Sequence, residues 1–178
     1  MYLSAFMPTR SVNTALLVGI LIAVSTSQNS QATEPTRRFI AADSSKNRVA
    51  VIDETGETEW EHQIGALHDL HVLPNGNVLL QLSWTEVAEI HPKNGEIVWR
   101  YDAGKRPDNV GKRLEIHAFQ RLANGRTIVA ESGPGNITEL DENLNVTHSM
   151  AMKVSKPDAH RDTRLVRQLE SGNYLVCH

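Results

Sequence analysis

Histidine binds metals through its neutral ring and anions through its charged one. In this chain it recurs at a fixed distance from a glycine turn. His68 lies 76 − 68 = 8 residues before Gly76, and His117 lies 125 − 117 = 8 residues before Gly125. His160 lies 172 − 160 = 12 residues before a third such glycine, Gly172, and Arg164 takes the aligned place. Asp69 and Asp162 stand beside these positions. Imidazoles at one mouth with Asp69, Asp162 and Arg164 could bind an anion or a metal. The competing role for the same side chains is to cap strand ends and bond backbone groups. No His-x-x-x-His or Cys-x-x-Cys spacing occurs, so spacing predicts no metal site. Cys177 is the only cysteine and cannot form an internal disulfide. It falls in an apolar run, where a buried and inert thiol is expected.

The three glycines belong to three similar stretches, "HVLPNGNVLLQL", "QRLANGRTIVAE" and "RQLESGNYLVCH". They are spaced by 125 − 76 = 49 and 172 − 125 = 47 residues. Leu73, Leu122 and Leu169 precede the glycine by three; Leu70, Phe119 and Val166 precede it by six. Positions three apart cannot share a face of an unbroken strand, so the nearer leucine is expected to lie in the approach to the turn. An Asn-Gly pair predicts a type I′ hairpin, with positive φ at both central residues. Further landmarks follow. Val87–Ile90 matches Ile137–Leu140, and Val49–Ile52 has the same character. Gly56 is followed by Trp60, and Gly95 by Trp99, each after four residues. The third copy, "DENLNVTHSM", lacks both Gly and Trp.

Residues 67–101 and 114–151 thus read as two antiparallel four-stranded meanders, with three strands before them and two after. A meander repeated at a period in the forties predicts an all-β fold, a β-propeller. The blades fall roughly at 38–64, 66–103, 114–153 and 160–178, about three and a half in all. The segment 33–178 is therefore expected to be a partial propeller, a fragment of a longer ring. Its open sheet edges would offer a surface for self-association or a protein partner. First strands line a propeller's channel. His68 and His117 are then expected at one axial end of neighbouring blades, with equivalent atoms about 8–12 Å apart. Protonation at about pH 6 would strengthen anion binding there. The connection 103–113, carrying Lys105, Arg106, Lys112 and Arg113, is expected to be a solvated link.

Residues 1–32 differ from the rest. They hold no Asp or Glu, one basic residue, Arg10, and an apolar run from Ala15 to Val24. Ser30 and Ala32 supply small residues for cleavage. This is the layout of a secretory signal peptide, and it predicts export to the periplasm or the outside. The alternative is an uncleaved anchor, in either case the only expected tie to a membrane. The net charge of the 178-residue chain is −3, without a dense basic cluster, so no nucleic-acid partner is expected.

The Gly-x-x-x-Trp landmarks resemble the repeat of pyrroloquinoline-quinone-type propellers, in which the Trp docks each blade on its neighbour. "VIDETGETEW" keeps Asp53, Thr55, Gly56 and Trp60; "EIHPKNGEIVW" has His91 and Asn94 in place of the Asp and Thr. The resemblance implies structural roles for Trp60 and Trp99, and the repeated turns imply the same for Gly76, Gly125 and Gly172. No ligands for the quinone are evident, so no cofactor is expected. "LHDLHVLPNGNVLL" also resembles the blades of arylsulfotransferase-type propellers. That resemblance implies channel-facing histidines, one of which carries the transferred sulfuryl group; the matching positions are His68, His117 and, more loosely, His160. Two functions therefore stand open: a non-enzymatic binding or scaffold module, which is favoured, and part of a propeller enzyme.

Overall fold

The computed structural model describes residues 37–65 and 67–178. The expected signal peptide lies outside the described residues, and no described helix is long and apolar enough to cross a membrane. The first sheet holds β1 (Phe39–Asp43), β2 (Arg48–Ile52) and β3 (Thr58–Gln63). The second holds β4 (Leu70–Val72), β5 (Val78–Gln81), β6 (Glu86–Ile90) and β7 (Ile97–Asp102). The third holds β8 (Glu115–Arg121), β9 (Thr127–Ser132), β10 (Asn136–Leu140) and β11 (Val146–Ala151). The last holds β12 (Leu165–Gln168) and β13 (Tyr174–Cys177). Every pairing is antiparallel and joins strands consecutive in sequence.

The turns show why the repeat is written as it is. Leu73, Leu122 and Leu169 lie one residue past β4, β8 and β12, so each begins the turn, with Leu73 and Leu122 still packed in the core and Leu169 exposed. Its carbonyl accepts the N–H of the turn glycine at 2.9, 3.0 and 2.9 Å in the three copies. The type I′ expectation is corrected: only the glycines, at φ +83°, +84° and +83°, are left-handed, and Asn75 and Asn124 are not. The Asn is there as an acceptor. Asn75 Oδ1 takes the N–H of Asn77, and Asn124 Oδ1 that of Arg126, each at 3.0 Å.

A second repeated device sits between the third and fourth strands. The pairing shifts by one residue after Val51, after Glu89 and after Glu139, a bulge at the same place in three sheets. The loop beyond it is anchored by a side-chain acceptor. Asp53 Oδ1 accepts from Thr55 N–H and Thr55 Oγ1, and Asp141 Oδ1 from the N–H groups of Asn143 and Asn145. His91 Nδ1 does the same for Lys93 at 3.3 Å. Opposite the bulge stand Trp60, Trp99 and His148, so the third copy carries an imidazole in the tryptophan's place. His148 stacks on Tyr174 of the next sheet at 6.4 Å.

Burial follows from stacking sheet on sheet. Trp60 packs with Val49, Val78, Leu80 and Ile90 between the first two sheets. Trp99 packs with Leu79, Val87, Phe119 and Leu140 between the second and third. Strands covered on both faces become wholly buried, as β5 and β9 are, while β11 stays largely exposed. Cys177 is exposed, which corrects the expectation of a buried thiol. Alternation along β13 turns Tyr174 and Val176 onto the third sheet and leaves Leu175 and Cys177 on the uncovered face.

Segment 103–113 is a solvated link only in part: Lys105, Lys112 and Arg113 are exposed, but Ala103 and Asn109 are buried and Arg106 is turned inward. It forms two short 3-10 turns, Ala103–Lys105 and Pro107–Asn109. Arg106 Nη1 and Tyr101 Oη each donate to Glu131 Oε1 at 2.8 Å, and buried Asn109 donates to Glu131 Oε2 at 3.2 Å. A carboxylate with no solvent exposure needs such partners, and they stitch the link to the third sheet.

Asp69, expected among the channel ligands, is instead a tie between inner strands. Its carboxylate accepts a two-pronged pair from Arg167 of β12, with both distances at 3.0 Å, and the Phe119 N–H of β8 at 3.2 Å. Burial works to raise its pKa, but His71, Arg167 and the Phe119 N–H outweigh that and hold it below the ordinary value.

Two measurements test these assignments. Gly125→Ala adds a Cβ that meets no atom within 4 Å, so its cost is the left-handed backbone alone, about 1–2 kcal/mol in denaturant unfolding. Asp69→Asn costs about 3 kcal/mol at neutral pH. Because the folded pKa is lowered, the wild-type advantage is present above the ordinary value of 3.8 and fades as pH falls through the lower folded value.

Candidate functional site

The starts of β4 and β8 come together through one buried amide. Gln81, with 0% exposure, accepts the His68 N–H at 3.1 Å and donates to the Ile116 carbonyl at 2.7 Å. The Trp84 carbonyl accepts the Ile116 N–H at 2.7 Å. His117 sits at a break in the β8–β9 register, between paired residues Ile116 and Ala118, and such bulges re-aim side chains. From the other side, the loop 158–162 closes on itself. Asp158 N–H donates to Asp162 Oδ2 at 2.6 Å, and Asp158 Oδ1 accepts the His160 N–H at 2.9 Å. Buried Thr163, at φ 46°, then turns the chain into β12.

These constraints bring four of the six expected residues into one cluster. The His68 and His117 rings meet edge to face with centroids 4.6 Å apart, nearer than the 8–12 Å expectation because Gln81 fixes their backbones side by side. His160 approaches His117 at 5.8 Å. Trp84, 43% exposed, lies 5.4, 6.2 and 5.6 Å from His68, His117 and His160. Arg164 Nη1 is 3.0 Å from His117 Nδ1. A guanidinium only donates, so Nδ1 is an acceptor; Nε2 then carries the proton and donates to the Ala159 carbonyl at 3.0 Å. His117 is thereby held neutral in one tautomer. The His68 ring has no hydrogen-bond partner among the described residues.

Two expected residues stay outside. Asp69 is bound by Arg167, and Asp162 closes its own loop, its carbonyl also accepting from Ser132 Oγ. Two participants were not anticipated. Trp84 reads in sequence only as part of a link. Glu115 stands two residues before His117 on β8, and its Oε2 lies 2.8 Å from His160 Nδ1 and 3.5 Å from His117 Nε2. A Glu-x-His pair on a strand shares a face, and that was the available clue. Glu115, His117 and His160 are the described residues whose donor atoms cluster as a metal's ligands do.

Burial lowers the pKa of His68 and of His117. Arg164 lowers both further; His160 acts likewise on His68, and His68 on His117. Glu115 opposes the shift at both rings, as does the Ala159 carbonyl at His117. The expectation of protonation at about pH 6 is corrected downward; near neutrality the fixed cation of the cluster is Arg164. NMR titration of the two rings should give midpoints below the ordinary value of 6.5. A lowered folded value means that stability is lost as pH falls from 6.5 towards it, so melting temperature should drop across that window.

Stacked antiparallel sheets with their first strands converging define a β-propeller, here incomplete. Similar solved structures include a protein of unknown function from Bacteroides caccae, at 22% identity and TM-score 0.63, covering 79% of this chain and 50% of that one. A streptogramin B lyase is similar at 12% identity and TM-score 0.58, covering 79% and 44%. The WD40 beta propeller domain of Doa1 matches at 11% identity and TM-score 0.59, covering 79% and 43%. The chain thus spans half or less of the length of these structures. No protein-family model and no curated protein matches the sequence.

Proposed function

We propose that this chain is an exported β-propeller module of the pyrroloquinoline-quinone-like repeat type that binds a small anion beside its histidine cluster. The observation that carries the reading is Arg164, an exposed guanidinium set against His117 and next to the open His68 ring and the Trp84 face. A guanidinium offers paired donors to an oxyanion, and a tryptophan offers a flat apolar wall to the group attached to it. The layout of residues 1–32 supports export. The anchored loops at Asp53, His91 and Asp141, and the packing of Trp60 and Trp99 between sheets, support the repeat type.

A second reading, an arylsulfotransferase-like enzyme, is favoured by the His68 ring, which has no hydrogen-bond partner among the described residues. A free imidazole nitrogen could attack the sulfur of an aryl sulfate. The sulfur–oxygen bond to the aryl group would break, phenolate would leave, and an acceptor phenol would later take the sulfuryl group from nitrogen and give up its proton.

Calorimetric titration with inorganic sulfate and with 4-nitrophenyl sulfate tests both readings. Binding should weaken by about tenfold or more in Arg164→Ala and in the His68→Ala, His117→Ala double variant. Equal binding by all three proteins would reduce these residues to strand-end caps. Release of 4-nitrophenol that depends on an added phenol, and that disappears in His68→Ala, would establish the enzyme; binding without turnover would leave the module.

A further inference from the structure

We infer that Glu115, His117 and His160 form a binding site for a divalent transition metal of the zinc type. The inference does not rest on the anion reading, which shares His117 with it but otherwise uses Arg164, His68 and Trp84. Glu115 Oε2 stands 2.8 Å from His160 Nδ1 and 3.5 Å from His117 Nε2, and the three donor atoms lie within 4.8 Å of one another. Zinc bonds of 2.0–2.1 Å in a tetrahedron imply donors separated by about 3.3 Å, so small movements bring all three into place. Two imidazoles and one carboxylate suit zinc and its neighbours better than calcium or magnesium, which prefer oxygen alone. Three protein ligands leave a fourth position for water or a substrate atom, the pattern of a catalytic zinc rather than a closed structural one.

The ligands are also held ready. Glu115 and His117 project from one strand, their side chains 12% and 0% exposed. His160 is carried by the self-closed loop 158–162, and its side chain, 49% exposed, gives the site access to solvent. In the metal-free arrangement a proton lies between His160 Nδ1 and Glu115 Oε2, where the metal would bridge.

One feature opposes the metal and makes the inference specific. Coordination through His117 Nε2 breaks its bond to the Ala159 carbonyl and moves the ring proton to Nδ1. That proton then faces Arg164, which can only donate. Arg164 is exposed and able to swing away, but its charge and donor both work against binding. A glutamine at that place carries no charge and can accept from Nδ1–H. Removing this arginine should therefore improve metal affinity, a sign that non-specific uptake by surface histidines would not give.

The test uses the full, tag-free chain after chelator treatment. Zn²⁺ alone is titrated by calorimetry, and Co²⁺ is followed by the intense visible absorption of a tetrahedral site. One equivalent should bind saturably. Glu115→Gln and His160→Ala, both at partly exposed positions, should weaken binding by about 10–100-fold, and Arg164→Gln should tighten it by about tenfold. Melts in chelator confirm that each variant is folded. Wild-type zinc affinity in Glu115→Gln or His160→Ala, or no saturable uptake, would overturn the site. Sulfate binding repeated in chelator is judged separately, so failure of one reading leaves the other standing.

Discussion

The carboxylate of Asp69 gathers the inner strands of three successive sheets. It opens β4, receives a backbone N–H from β8 and grips Arg167 of β12, 98 residues away, through two parallel hydrogen bonds. Between sheets most contacts are apolar and tolerate sliding. A forked ion pair, most of it out of water, fixes distance and orientation together. It costs desolvation to form, and the Phe119 N–H and carbonyl, the latter bonded to Arg167 at 3.3 Å, supply the extra partners that offset that cost. With the strands so held, the residues just before them have no choice but to meet.

The cluster is a consequence of that constraint, refined by Gln81. Its amide spends both ends on backbone groups of adjacent strands and leaves the side chains of His68 and His117 facing each other. Opposite charges then divide the cluster. Arg164 takes one nitrogen of His117, and Glu115 approaches the other while also holding His160. The imidazole between them is neutral and fixed, with a cationic side and an anionic side. That polarity gives the proposed oxyanion and the proposed metal cation opposite sides of one ring to approach.

Much of this architecture was legible because its causes are local. The turn is written in Leu-x-x-Gly and in an Asn that accepts its neighbour's N–H, and both recur in plain sequence. The turn type was misread because Asn-Gly suggested two left-handed residues where the Asn works through its side chain. His148 was invisible as a Trp equivalent because only the bulge register aligns it. Asp69 reads as a ligand in sequence because its partner, Arg167, is remote. Glu115 and His160 were not joined for the same reason, since 45 residues separate them and a loop whose closure is set by Asp162 delivers the second.

Pairing only strands consecutive in sequence has a bearing on biosynthesis. Each sheet can close as soon as its own residues emerge, without waiting for distant segments. The cluster cannot. Its last members, His160 and Arg164, and the Arg167 that locks Asp69, all lie near the end of the described chain. A nascent chain would therefore carry finished second and third sheets before loop 158–162 could bring His160 and Arg164 to His117.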